Sequence, residues 1–290
     1  MPELMQFLFS GLTVGAIYAL IALGFTIIYN ASEVVNFAQG EFVMIGGMAT
    51  FFLYSAGLPL WLAAPLAILA AVAVGLALHR FAIAPARGAS VVALIIITIG
   101  ASIFLRGAAQ IVFDKQYHRF PAFTGEAPLH LLGATLLPQS VWVMAGAAVA
   151  FALLWQFFSR TLAGKAVAAT ASNALAARLV GIDTDRMIAL SFALSAALGA
   201  LAGVLITPIT LTSYDVGTLL ALKGFAAAML GGMGHPLGAV IGGFVVGVSE
   251  QLSAGLISSR YKDAIAFLVI LGTLLVLPNG LFGRGRAERV

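Results

Sequence analysis

Long apolar runs alternate with short polar joints along the whole chain. Runs long enough to cover a bilayer at about 1.5 Å per residue occupy positions 4–29, 38–56, 59–81, 90–110, 136–158, 186–206, 236–254 and 262–282. They predict eight membrane-spanning helices. A further apolar piece, 217–231, is shorter and glycine-terminated, so a half-helix or re-entrant segment is expected there rather than a full span. Its status decides the parity of the topology. The expected fold class is an all-α polytopic membrane protein of eight or nine transmembrane helices, with discontinuous or re-entrant segments, in a single domain over 1–290.

Small residues recur four apart within these runs, as in Gly11 with Gly15 and Gly243 with Gly247. That spacing lets helix backbones approach closely where burial from water supplies no driving force. The segments VMIGGM (43–48) and AMLGGM (228–233) echo each other in opposite halves of the chain. Such an echo is either a pair of glycine-interrupted helices around a path or a coincidence of Gly- and Ala-rich sequence.

Composition sharpens the class. The 290 residues are 61% hydrophobic and 9% charged, with a mean hydropathy of +1.07. The most polar stretch, about 106–135, is too short for a separate core. There is no cysteine, which removes disulfides, thiolate metal sites and cysteine nucleophiles. The net charge of +4 resides in short loops, where Lys and Arg set orientation rather than attract nucleic acid. The first basic residue is Arg80 and Glu3 lies in the opening stretch, so the basic start of a cleavable signal is missing and 4–29 reads as a retained helix. If 217–231 spans, Arg80, Arg87, Arg160, Lys165, Arg178, Arg186, Arg284, Arg286 and Arg289 share one side, nine of the fifteen basic residues. That side is then cytoplasmic, with Asp114, Lys115, His118 and Arg119 outside.

Signatures of hydrolysis or nucleotide binding (HExxH, GxxxxGK[ST], GxSxG, GxGxxG) do not occur, so any ATP that drives this protein is bound by another chain. The histidines His79, His118, His130 and His235 fall in different joints, which argues against a shared metal site. The candidate chemistry lies instead in polar residues within apolar runs. In NFAQGE, Asn36, Gln39 and Glu41 cluster within about a turn and a half, with Gly40 able to open the helix. A carboxylate inside a bilayer costs about 2.5–3.5 kcal/mol on insertion scales, a penalty normally borne at a bundle interior or a hydrated path. The alternative is an interfacial loop with Glu41 reaching water. Thr98 and Ser102, one turn apart, either line a path or bond back to their own helix. Glu250, near the end of a run, is either a buried partner or an interfacial residue.

Residues 159–186 read differently. Val167, Ala171, Leu175, Leu179 and Ile182 form one apolar stripe at helical spacing, while Lys165, Ser172 and Asn173 lie elsewhere on the wheel. A short amphipathic helix is predicted, capped by Gly181 with Ile182 as its hydrophobic contact. Its Ala-rich surface suits docking onto a partner protein better than anchoring in lipid.

Four stretches, namely VGAIYALIALGFTIIYNASEVVNFAQGEFVMIGG, GKAVAATASNALAARLVGIDTDR, KGFAAAMLGGMGHPLGAVIGGFVVGVSEQL and SSRYKDAIAFLVILGTLLVLPNGLFG, resemble the LivH-type membrane permease subunits of branched-chain amino-acid ABC importers. The likeness covers essentially the whole chain. It implies an ABC-importer permease, not an enzyme, in the bacterial inner membrane. The implied partners are a second homologous LivM-type permease, two cytoplasmic LivG/LivF-type ATPase subunits and a periplasmic solute-binding protein. No cofactor is expected on this chain, since ATP and Mg belong to the ATPase partners. The resemblance further implies a cytoplasmic coupling helix over about 164–182, carried by Gly164, Lys165, Ala169 and Gly181. Ser172 and Asn173 replace the Glu-Asp of many members, which removes the carboxylates expected at the ATPase contact. Asn36, Gln39, Gly40 and Glu41 are implied to border the translocation path, and Thr98 and Glu250 are candidates for it. The implied solutes are branched-chain or other small amphipathic amino acids, with urea, short amides or aromatic and carboxylic acids as alternatives on the same architecture. An ion-coupled secondary transporter, with Glu41 or Glu250 as coupling carboxylate, is the rival from another class.

Overall fold

The computed structural model describes residues 2–86, 88–125, 127–131, 133–277 and 279–283. Its helices are α1 (Pro2–Ser32), α2 (Gln39–Ser55), α3 (Leu60–Leu78), α4 (Val91–Val112), α5 (Pro138–Arg160), α6 (Leu162–Ser172), α7 (Ala174–Leu179), α8 (Thr184–Thr210), α9 (Val216–Gly231), α10 (Pro236–Leu256) and α11 (Lys262–Val276). A π turn, His79–Ile83, prolongs α3. Between α4 and α5, β1 (Leu129–Leu131) and β2 (Ala134–Leu136) pair antiparallel, with Leu129 opposite Leu136. Six helices among the described residues are long and apolar enough to cross a membrane: α1, α3 with its π turn, α4, α5, α8 and α10.

Contacts between joints sort the helix ends onto two faces. On the first face, Gln6 Nε2 donates to the Thr135 carbonyl, and His118 and Thr212 exchange backbone hydrogen bonds of 2.8 Å. The start of α1, the α4–α5 connection and the α8–α9 connection therefore lie together. On the second face, Asn30 Nδ2 donates to the Gly234 carbonyl, and the Leu281 and Phe282 N–H groups donate to the carbonyls of Leu230 and Gly231. The segment from Thr212 to Gly231, of which α9 is the helical part, thus runs from one face to the other and does not turn back. The joints bearing Arg80 and bearing Arg160, Lys165, Arg178 and Arg186 fall on the second face, as the full-span alternative requires. Arg87, Arg284, Arg286 and Arg289 lie outside the described residues.

Helix α1 is apolar on every side, the mark of a helix with no solvent face. It is the central element, with α10, α8, α9 and α5 packed around it, and every residue from Ala16 to Leu23 is at most 4% exposed. The small-residue spacing brings α1 and α10 into backbone contact: a Cβ on Gly247 would lie 2.4 Å from the Gly15 Cα. The 43–48 and 228–233 echo does not correspond to equivalent structure. VMIGGM lies in the uninterrupted interior of α2, where Gly46 and Gly47 accommodate α8, whereas the second Gly-Gly ends α9, with Gly232 at φ 99.

Two expected helices are shorter than their apolar runs. The run 262–282 gives a helix only as far as Val276. A Pro-Asn-Gly sequence follows at 278–280, and Gly280, at φ 74, turns the chain back onto the end of α9. The single helix expected over 164–182 is broken at Asn173, whose backbone is extended (φ −162, ψ 101). Its side chain accepts from the Ala176 N–H and starts α7 afresh. Asparagine favours this capping role over a helix interior, because its side chain competes for backbone hydrogen bonds. Asn173→Ala should lower stability by about 1 kcal/mol, read as a small shift of the unfolding midpoint in detergent.

On the first face, Asp114 accepts from the Gln116 N–H and from His118 Nε2. The Gln116 bond, then the His118 bond, hold its carboxyl below the usual range. A depressed carboxylate contributes stability that is complete above its unfolded-state value of about 3.9 and is lost as pH falls through the lower folded-state value. Proteolytic nicking of the α4–α5 connection should therefore stay flat from neutral pH down to about pH 4 and rise only below it.

Candidate functional site

The first polar cluster occupies a joint that dips into the bundle. Helix α1 ends at Ser32, Glu33 takes a left-handed backbone (φ 56), and the following residues run to α2 pinned against α4. The Thr98 hydroxyl lies 3.2 Å from the Val35 carbonyl and 2.9 Å from that of Ile95, and it accepts from the Phe37 N–H. Thr98 stands about 10 Å along α4 from its start, so α2 begins inside the bundle rather than at its face. Asn36 is fully buried, and its Oδ1 accepts from the Ala38 N–H to form the turn that opens α2. Its Nδ2 has no partner among the described residues.

The next three residues diverge. Gln39 is enclosed, donating to the Ser195 carbonyl while its own carbonyl accepts from the Ser195 hydroxyl, which ties α2 to α8. Gly40 meets Gly217 backbone to backbone, since a Cβ at Gly40 would stand 2.1 Å from the Gly217 carbonyl oxygen. The first turns of α2 and α9 therefore touch within the bundle. From there α2 runs to the first face, where Phe51 stacks on His118, and α9 runs to the second. Glu41, 1% exposed, accepts from the Ser102 hydroxyl at 2.7 Å and faces Arg106 Nη2 at 3.4 Å.

Ser102 and Arg106 also line a cavity of about 150 Å³ between α4 and α9, together with Phe37, Thr218 and Phe225. Three polar atoms at this place are buried without a partner among the described residues: Glu41 Oε2, Arg106 Nε and Thr218 Oγ1. Asn36, Gln39, Gly40, Glu41 and Thr98 are thus brought to one region. Arg106 is a residue that the pattern of apolar runs did not single out. Its signal was a cation on the helix face of Ser102, one turn on.

Glu250 lies elsewhere. It is 2% exposed and both of its oxygens are engaged: Oε2 accepts from the Tyr18 hydroxyl at 2.8 Å and Oε1 from Lys223 Nζ at 2.9 Å. Lys223 also donates to Asp263 at 2.6 Å and sits 5.6 Å from the centroid of the Tyr18 ring. This network clamps α1, α9, α10 and α11 together. Lys223 was likewise missed, although one lysine in the middle of an apolar run signals a buried counter-ion.

The second-face residues form a jointed pair of helices. Gly164 is buried beneath α5, where a Cβ would lie 2.2 Å from the Phe157 carbonyl oxygen. Lys165, Ser172 and Asn173 are exposed and Ala169 is half-buried. Of the predicted apolar stripe, Val167 packs inward, Ile182 is half-buried, and Ala171, Leu175 and Leu179 point outward. The break at Asn173 rotates α7 relative to α6, so one stripe no longer faces one way. Gly181 (φ 88) ends α7 as expected: its N–H donates to the Arg178 carbonyl, and that of Ile182 to the Ala177 carbonyl. Leu162, Leu175, Leu179 and Val180 are each at least 70% exposed.

Comparison with known proteins gives concordant results. The family described as "Branched-chain amino acid transport system / permease component" matches residues 7–274. The high-affinity branched-chain amino acid transport system permease protein LivH of Salmonella typhimurium is 34% identical over 99% of this chain and 97% of its own length. The corresponding protein BraD of Pseudomonas aeruginosa is 35% identical over the full length of both. The ribose import permease protein RbsC of Haemophilus influenzae is 26% identical over 90% of this chain and 81% of its own.

Proposed function

Because this chain belongs to the family of branched-chain amino acid transport-system permease components, we propose that it is the LivH-type subunit of an ATP-driven importer of branched-chain or similar small amphipathic amino acids. It is a multi-pass membrane permease and not an enzyme. In this proposal it resides in the bacterial inner membrane with its second face toward the cytoplasm. A LivM-type permease stands beside it, two LivG/LivF-type ATPases bind ATP and Mg beneath it, and a periplasmic binding protein delivers the solute to its first face.

The observation that carries the proposal is the α6–α7 unit. It presents Leu162, Leu175, Leu179 and Val180 to the outside on the face that also bears Arg160, Lys165, Arg178 and Arg186. Exposed leucines around a capped pair of helices suit a protein partner that covers them. Ser172 and Asn173 supply no carboxylate there, so apolar contact is the main bond to the ATPase. Leu179→Asp should abolish copurification of the ATPase subunits while membrane insertion of the permease stays at wild-type level. Unchanged copurification would overturn the docking role.

Glu250, one of the two carboxylates through which a gradient-driven transporter could couple, has both oxygens held by fixed partners. Proteoliposomes containing the permease pair without ATPase should accumulate no amino acid under an imposed proton or sodium gradient.

A further inference from the structure

Among the described residues, Glu41 and Glu250 are buried carboxylates that face a cation, and they differ in one respect. Glu250 spends both oxygens on Tyr18 and Lys223, the arrangement of a closed structural clamp. Glu41 spends one oxygen on Ser102 and Arg106 and keeps Oε2 without a partner among the described residues, although it is 1% exposed. Unmatched polar atoms are rare in protein interiors and most costly when charged. Here they gather at one cavity: Ser102, Arg106 and Thr218 line it, Glu41 is hydrogen-bonded to the first two, and Thr218 Oγ1 and Arg106 Nε are also unmatched. The Arg106 side chain retains 30% exposure.

We propose that this cavity recognises the zwitterionic head of a free α-amino acid, with the ammonium group at Glu41 and the carboxylate at Arg106 and the Thr218 hydroxyl. The first turns of α2 and α9 meet beside it, and the partial positive charge of helix N-termini reinforces the anionic end. Phe37 and Phe225, with ring centroids 5.6 Å apart, form an apolar wall for the side chain. The cavity, about 150 Å³, has room only for a small solute. An uncharged solute would offer no charge to Glu41 Oε2 and Arg106 Nε, and a dicarboxylate would set an anion against Glu41.

The site rests on the transport role proposed above, and the test separates the two. The assembled importer in nanodiscs, without binding protein, is titrated with leucine, with leucinamide (no carboxylate) and with 4-methylpentanoate (no ammonium). Wild type should bind leucine at least about tenfold more tightly than either analogue. Glu41→Gln should weaken leucine and leucinamide and spare 4-methylpentanoate, while Arg106→Gln should weaken leucine and 4-methylpentanoate and spare leucinamide. Thr218→Val, which deletes a hydroxyl without changing charge, should follow the Arg106 pattern more weakly and serves where a charge variant fails to assemble. Equal weakening of all three ligands, or no leucine binding by wild type, overturns the site. Leucine uptake by wild type with binding protein and ATP reports on the transport role separately: normal uptake without the analogue pattern removes only the site, and no uptake of any amino acid removes the role.

Discussion

Lys223→Met is expected to destabilise the folded bundle by about 3–5 kcal/mol, the cost of leaving one member of a buried ion pair without its counter-charge. Glu250 is 2% exposed and cannot reach water, whereas Asp263 is 47% exposed and can. The loss should therefore be reversed chiefly at Glu250. In the double variant Lys223→Met, Glu250→Leu the buried anion is gone, and replacing a buried pair by packed apolar groups is often neutral or stabilising. Thermal unfolding in detergent should show the single variant far below wild type and the double variant near it. If the single variant unfolded at the wild-type midpoint, the clamp between α1, α9, α10 and α11 would have no energetic weight.

Gly217→Val should have a comparable effect by a different route. A Cβ at residue 217 would lie 2.2 Å from the Gly40 carbonyl oxygen and 2.6 Å from its carbonyl carbon. Both are backbone atoms of a helix start, so no side chain can rotate away. The helices must separate, and overpacking of this kind costs about 1–3 kcal/mol even where side chains can adjust. Because the contact adjoins the cavity, Gly217→Val should reduce transport to background. Copurification of the ATPase should persist, since α6 and α7 lie on the second face. Loss of both together would show that the damage is global.

Much of the fold was legible in the sequence because length and hydropathy alone specify a bilayer-crossing helix. Each apolar run became a helix starting within a few residues of its predicted position, and the joints bearing Arg80, Arg160, Lys165, Arg178 and Arg186 share one face, as the charge pattern led one to expect. What escaped was set by single residues against the trend of their neighbours. Asn173 sits in a stretch whose apolar spacing continues through it, and only its preference for capping divides the stretch into α6 and α7. The candidate site was half visible. Asn36, Gln39 and Glu41 stood out because polar groups are rare in such runs. Their separate fates, one opening a helix, one fastening α2 to α8, one bonded to Ser102 and Arg106 behind a cavity, depend on Ser195, Ser102 and Arg106, which lie 61 to 156 residues away. Lys223 and Glu250 pair across 27 residues and two different helices, a distance that no local pattern encodes.

The hinge at Asn173 has a mechanical corollary. Helix α6 is seated on α5 through Gly164, while α7 is fastened to the base of α8 by Arg178 Nε donating to the Thr184 hydroxyl. In the proposed importer, a stroke of the ATPase would consequently divide between two levers, one leading up α5 and the other up α8, and α8 reaches the buried start of α2 through Ser195. Under the proposed ATPase coupling, a push on α7 alone would reach the middle of the membrane through α8 while α5 stays still.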